Sequence, residues 1–145
     1  MHSLPQYLHL AAAAEEVAPD ALCPLTSSTK LYTYMNWISL TDEEQLHQIK
    51  ANSITKPQVI FKHSTRCSVS SMAKSRLERS VQPDEVDFYF LDLIKYRPLS
   101  NMIARDFDVY HESPQILLIK NGECVYDESH SGIAMEMIVE QSLVA

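Results

Sequence analysis

Glycine is almost missing from this 145-residue chain, where only Gly122 and Gly132 occur. Phosphate-cradling loops such as GxxxxGK or GxGxxG need clustered glycines, so nucleotide binding of those kinds is excluded. Long apolar runs are absent too. No stretch of about 18 apolar residues exists, and no transmembrane helix or membrane partner is expected. Basic charge is short: 12 Lys+Arg against 19 Asp+Glu give a formal net charge of −7. That is the reverse of the basic footprint of a general nucleic-acid binder. The three cysteines, Cys23, Cys67 and Cys124, form no close pair, which makes a poor disulfide framework and favours a reducing, cytoplasmic setting. Without CxxC, HxxxH or HExxH spacing, the six histidines suggest no metal site.

What is present suffices for one domain. Hydrophobic residues make up 46% of the chain and charged residues 21%, ordinary values for a globular protein of this length. Residues 1–34 stand apart, with Pro5, Pro19, Pro24, an alanine run and no sustained period. No Lys or Arg precedes LHLAAAA and Glu15-Glu16 follow at once, which is the wrong pattern for a secretory signal. The expectation is a loosely ordered extension over 1–34, with Met35 an alternative start and Cys23 given no role, then a folded domain over 35–145.

From Met35 the punctuation is regular. Asn36-Trp37-Ile38 reads as a short edge strand. Thr41 is the predicted N-cap of a helix with Asp42, Glu43 and Glu44 in its first turn. QVIFKH (58–63) reads as a strand. Residues 68–81 place Val69, Met72, Ala73, Leu77 and Val81 on one helical face. VDFYFLDLI (86–94) reads as a central strand, and Pro98 opens a helix with Leu99, Met102, Ile103 and Phe107 as its stripe. QILLIK, Asn121-Gly122 and ECVYDES form a hairpin, and GIAMEMIVEQSLV closes as an amphipathic helix. The order β-α-β-α-β-α-β-β-α predicts an α/β fold, a mixed sheet with helices on both faces and a C-terminal hairpin plus helix.

Cys67, in FKHSTRCSVSSMA, falls after a strand and at the start of a helix. In α/β sheets ligands bind where strands hand over to helices, and a helix start offers unpaired N–H groups that favour a thiolate. Lys62, Arg66, Lys74, Arg76 and Arg79 gather around it, with Arg66 nearest; Arg76 and Arg79 are expected on a solvated helix face. Ser70, one turn on, could hydrogen-bond a thiolate but cannot form a disulfide. Such a cysteine can attack a disulfide and hold the mixed product, while release needs an external thiol. Pro114 follows Ser113 just before an apolar strand, which suits a cis turn, although only about 5–6% of X-Pro bonds are cis. Cys124, alternating along its strand, is expected to be a buried or half-buried apolar residue rather than a resolving thiol.

These residues resemble a known family. FKHSTRCSVSSMA and the later SPQILLIKNGECVYDESH are similar to the YtxJ-like bacillithiol-system proteins, the monothiol bacilliredoxins of the thioredoxin-like superfamily, over roughly 36–143. The resemblance implies a monothiol thiol–disulfide oxidoreductase in which Cys67 reduces protein–bacillithiol mixed disulfides. Thr65, Arg66 and Ser70 would shape the site, and Ser113-Pro114 would form a cis-proline turn whose Ser113 backbone pairs with substrate. S-thiolated client proteins would be the partners, and bacillithiol or a related low-molecular-weight thiol the co-substrate, with no tightly bound cofactor. One departure is Ser68, where many members carry proline. A thioredoxin-like binding module without chemistry, or a sensor thiolated on Cys67, remain as alternatives at this point.

Overall fold

A computed structural model describes residues 34–144; the expectations for 1–33, Cys23 among them, lie outside the described residues. Among the described residues five strands form one sheet in the order β1-β3-β2-β4-β5, where β1 is Trp37–Ser39, β2 Gln58–His63, β3 Asp87–Asp92, β4 Gln115–Lys120 and β5 Glu123–Ser129. β1, β3 and β2 run parallel, whereas β4 and β5 are antiparallel additions. Among the described residues four α-helices flank the sheet: α1 Glu43–Asn52, α2 Ser68–Glu78, α3 Arg97–Asp106 and α4 Met135–Leu143.

The two-residue period of β2 divides the core. Val59 and Phe61 meet Ala73 and Leu77 of α2 and Met135 and Ile138 of α4 on one face. Ile60 meets Leu46 and Ile49 of α1 and Leu99 and Ile103 of α3 on the other. All six β2 residues are buried, as a central strand covered on both sides requires. Each buried Leu, Ile or Phe contributes about 1.5–3 kcal/mol relative to exposure. Asn121 (φ 53°) and Gly122 (φ 80°) close the β4–β5 hairpin, a left-handed pair in which glycine fits without strain.

Three sequence expectations shift. The N-cap of α1 is Asp42, not Thr41: its carboxylate accepts the Gln45 backbone N–H at 2.9 Å, and the Gln45 side-chain Oε1 accepts the Asp42 N–H at 3.3 Å. This reciprocal box satisfies two orphan donors, which Thr41 as cap would leave open. Helix α2 stops at Glu78, and its buried stripe is Ser70, Ala73 and Leu77. Val69 (43% exposed) and Met72 (61%) face outward, and Val81 lies beyond the helix. The stripe turns because Ser70 has hydrogen-bond partners on the strand below. Finally, Gly132 belongs to a 3-10 turn, His130–Gly132, and α4 starts only at Met135.

Candidate active site at the end of strand β2

β2 ends in Lys62 and His63, side chains on opposite faces of the sheet. A turn follows in which the Cys67 N–H donates to Ser64 O at 3.2 Å. Cys67 has extended backbone (φ −114°, ψ 119°) and is the N-cap of α2, its carbonyl accepting the Ser71 N–H at 3.1 Å. The half-buried thiol therefore sits beside the free N–H groups of the first helical turn. Thr65 and Arg66 are exposed on the preceding turn, and Arg66 makes no ion pair or hydrogen bond with the described residues.

The antiparallel pairing of Lys62 with Gln115 brings the start of β4 to this same sheet end. Just before it, the Ser113–Pro114 peptide bond is cis, as the family resemblance implies and against the base rate. Ser113 Oγ is buried without a hydrogen-bond partner among the described residues. The Pro114 carbonyl accepts the His130 N–H at 3.0 Å, which ties the turn to the end of β5.

Ser70 is fully buried, and its hydroxyl is committed away from Cys67. It accepts the Ser64 N–H at 3.0 Å and lies 2.7 Å from His63 Nδ1. With one lone pair taken, the hydroxyl still has a proton to donate to Nδ1 of a neutral ring and a second lone pair to accept from it. Burial first, and the charge of Lys74 second, lower the His63 pKa from 6.5, against Asp92, a hydrogen bond to the Ser70 backbone and Glu78. The pair Ser64–Ser70 pins the first turn of α2 to the strand end. The expected hydrogen bond from Ser70 to the thiolate is thus replaced by one to His63, a residue that the sequence reading passed over; its place two residues after Phe61 on a buried strand was the available signal.

The cations also separate. Lys62 is completely buried on the α1/α3 face, its ammonium donating to Gln115 Oε1 at 3.1 Å. Burial, then Arg97, pull its pKa down to about 8, with Asp127 opposing. Arg76 is no solvated bystander: its guanidinium donates to the carbonyls of His130 and Ile133. Lys74 pairs with Glu78 and lies over the Phe90 ring, 5.7 Å from its centre. Arg66 is left as the exposed cation beside the thiol.

Cys124 lies at the other end. It pairs with Ile119, which faces Gln58 at the start of β2, so about 17 Å of strand separates it from His63 at roughly 3.3 Å per residue. A disulfide needs Cα atoms within about 7 Å, so no Cys67–Cys124 bridge forms in this fold. Its half-buried sulfur packs against the core and donates to Tyr126 O at 3.4 Å.

A helix-start cysteine, a cis-proline turn at the same sheet end and the order β1-β3-β2-β4-β5 define a thioredoxin-like fold. A candidate oxidoreductase with a thioredoxin fold matches at 30% identity, over 72% of this chain and 92% of its own, with a TM-score of 0.65. Thioredoxins of Malassezia sympodialis (19%, 77% and 95%, TM-score 0.63) and Trypanosoma brucei brucei (12%, 77% and 91%, TM-score 0.60) share the fold. The family model for monothiol bacilliredoxin BrxC matches residues 38–138. The chain belongs to that monothiol bacilliredoxin family. No helix among the described residues is long and apolar enough to cross a membrane.

Proposed function

We propose that this protein is a monothiol thiol–disulfide oxidoreductase that reduces protein–bacillithiol mixed disulfides through Cys67. The observation that carries this reading is the position of Cys67: at a helix start, at the sheet end that holds Ser113–Pro114, with no second described cysteine in reach. The Cys67 thiolate attacks the bacillithiol sulfur of the mixed disulfide. The client thiolate leaves and takes up a proton, and a Cys67–S–S–bacillithiol bond remains. A second bacillithiol thiolate attacks the bacillithiol sulfur of that bond, releasing oxidised bacillithiol and restoring the Cys67 thiolate. No net oxidation of the protein occurs over the cycle.

In this reading the Ser113 backbone pairs with the extended substrate, and Thr65 and Arg66 border the thiol. Arg66, exposed and unpaired among the described residues, suits the carboxylates of bacillithiol. Ser70 acts through His63 and Ser64, holding the helix start in place. The test is a peptide carrying one S-bacillithiolated cysteine, mixed with the protein and free bacillithiol. Release of the peptide thiol by wild type, and none by Cys67→Ser, is expected. A wild type that accepts the label on Cys67 without turnover would leave only the sensor reading. One that leaves the peptide disulfide intact would leave only the binding module.

A further inference from the structure

A glutamine amide has two donor hydrogens and two acceptor lone pairs, and the fully buried Gln115 uses all four. Its Oε1 accepts from Lys62 Nζ at 3.1 Å and from the Glu112 N–H at 3.3 Å. Its Nε2 donates to Tyr110 O at 2.8 Å and to Asp127 Oδ2 at 3.3 Å. One side chain thereby joins β2, β5 and two points of the loop 110–114. Gln115 is also the residue directly after Pro114. Satisfaction of this kind inside a protein is specific: a partly satisfied buried network costs more than an apolar replacement.

We propose that Gln115 and Lys62 are positioning residues for substrate, a junction that fixes the height of the Ser113–Pro114 ledge from the sheet face opposite Cys67. The inference rests on the reading of Ser113 as a substrate-pairing backbone. Loop 110–113 has no strand of its own to hold it. Tyr110 is 92% exposed, and the Tyr110 carbonyl and Glu112 N–H are anchored by the Gln115 amide. Lys62 in turn orients that amide: an ammonium can only donate, so it selects the oxygen and turns the NH₂ toward Tyr110 and Asp127. Swapping Gln115 for a hydrocarbon frees the loop, and replacing Lys62 removes the group that sets the amide's direction. Cys67 is attached to α2 on the opposite face, where neither residue reaches.

The experiment compares wild type, Lys62→Met, Gln115→Leu and the isosteric Gln115→Glu. The last keeps both acceptor positions but loses both donors, and serves where Gln115→Leu does not fold. Three readouts are used: turnover of the S-bacillithiolated peptide, alkylation of Cys67 by iodoacetamide, and hydrogen exchange of amides 110–113. A rise in KM of about tenfold is expected for the Gln115 variants, with kcat and alkylation rate within about twofold and faster exchange at 110–113. Lys62→Met should follow with a smaller rise. A folded Gln115 variant with unchanged KM overturns the proposal, as does a fall in kcat at fixed KM. Unchanged exchange at 110–113 overturns the junction itself. A wild type that does not turn over the peptide is a separate failure: it removes the functional reading and the substrate role with it, whatever the exchange shows.

Discussion

The two described cysteines sit at opposite ends of one sheet and meet opposite surroundings. Cys124 lies in a hairpin strand among apolar neighbours, and burial, aided by the charge of Asp127, pushes its thiol up to about 11. Cys67 caps a helix, beside donors that strand geometry never supplies. The bases differ as well. At the hairpin end Lys56 meets a carboxylate, Asp87, at 2.7 Å. At the Cys67 end the buried bases Lys62 and His63 have only a neutral amide and a hydroxyl as hydrogen-bond partners. Burying bases without a directly bonded carboxylate works against stability, and such arrangements cluster where structure serves chemistry. The comparison teaches that place in the fold, not residue type, gives two thiols of one chain different surroundings: a helix start for Cys67 and a packed hairpin strand for Cys124.

The largest expected effect follows directly. Cys67→Ser should lower release of thiol from the S-bacillithiolated peptide by at least about a thousandfold, since Cys124, the other described thiol, lies at the far end of the sheet with its pKa raised. Cys124→Ser should leave the rate within about twofold. Equal losses in the two variants would break the comparison outright.

Next in size is the contrast in alkylation. At pH 8, a thiol titrating near 11 instead of the ordinary 9.0 carries about ninetyfold less thiolate, and the higher nucleophilicity of that thiolate offsets only part of the deficit. Mass-spectrometric timing of iodoacetamide addition should therefore find Cys67 labelled long before Cys124. Comparable rates at both would show that the hairpin sulfur is less protected than its packing states.

Much of this difference was legible in the sequence. Strand β2, the Asn121-Gly122 hairpin and the placement of Cys67 at a helix start follow from apolar runs and turn residues, which are local signals. The cis Ser113–Pro114 bond is implied by the family resemblance, because the local sequence only makes it compatible. What the sequence hid was direction. Lys62 and Arg76 count as nearby cations, yet one is buried beneath the sheet and the other is spent on backbone carbonyls. Val69 and Met72 fit an apolar stripe, but the helix turns Ser70 inward because His63 and Ser64 bond it. Tertiary partners forty or more residues away, such as Gln115 for Lys62, leave no periodic trace.

Lys62 offers a smaller, sharper test through pH. Its pKa falls from 10.5 to about 8 on folding. Between those values the unfolded chain binds a proton that the folded protein does not, so this group makes stability rise with pH. Below about 8 both states hold the proton and its contribution is flat. The urea midpoint of wild type minus that of Lys62→Met should therefore increase from pH 8 to 9.5. Using the difference cancels the tyrosines, Tyr89 and Tyr126, that titrate above this window. A difference that stays level would mean that the buried ammonium is better compensated than a single amide oxygen allows.

The smallest effect belongs to His63, and its sign is fixed by the same logic. Folding lowers its pKa below 6.5, so the unfolded state binds the proton more readily. Its contribution is fully present above pH 6.5 and is lost as pH falls through the folded value. Protonation also forces Nδ1 to donate, and the Ser70 hydroxyl must then turn its own proton elsewhere. Wild type minus His63→Phe, measured by urea midpoint, should decline between pH 7 and pH 5. The ring at position 63 keeps its place against Phe61 and Phe90 in that variant, so lost packing does not mimic the slope. Should the difference instead grow as the pH drops, His63 would be charged in the fold. The Cys67 end would then hold a buried cation hydrogen-bonded to Ser70 in place of a neutral ring, and its contrast with the charge-paired hairpin end would be reduced to Lys62 alone.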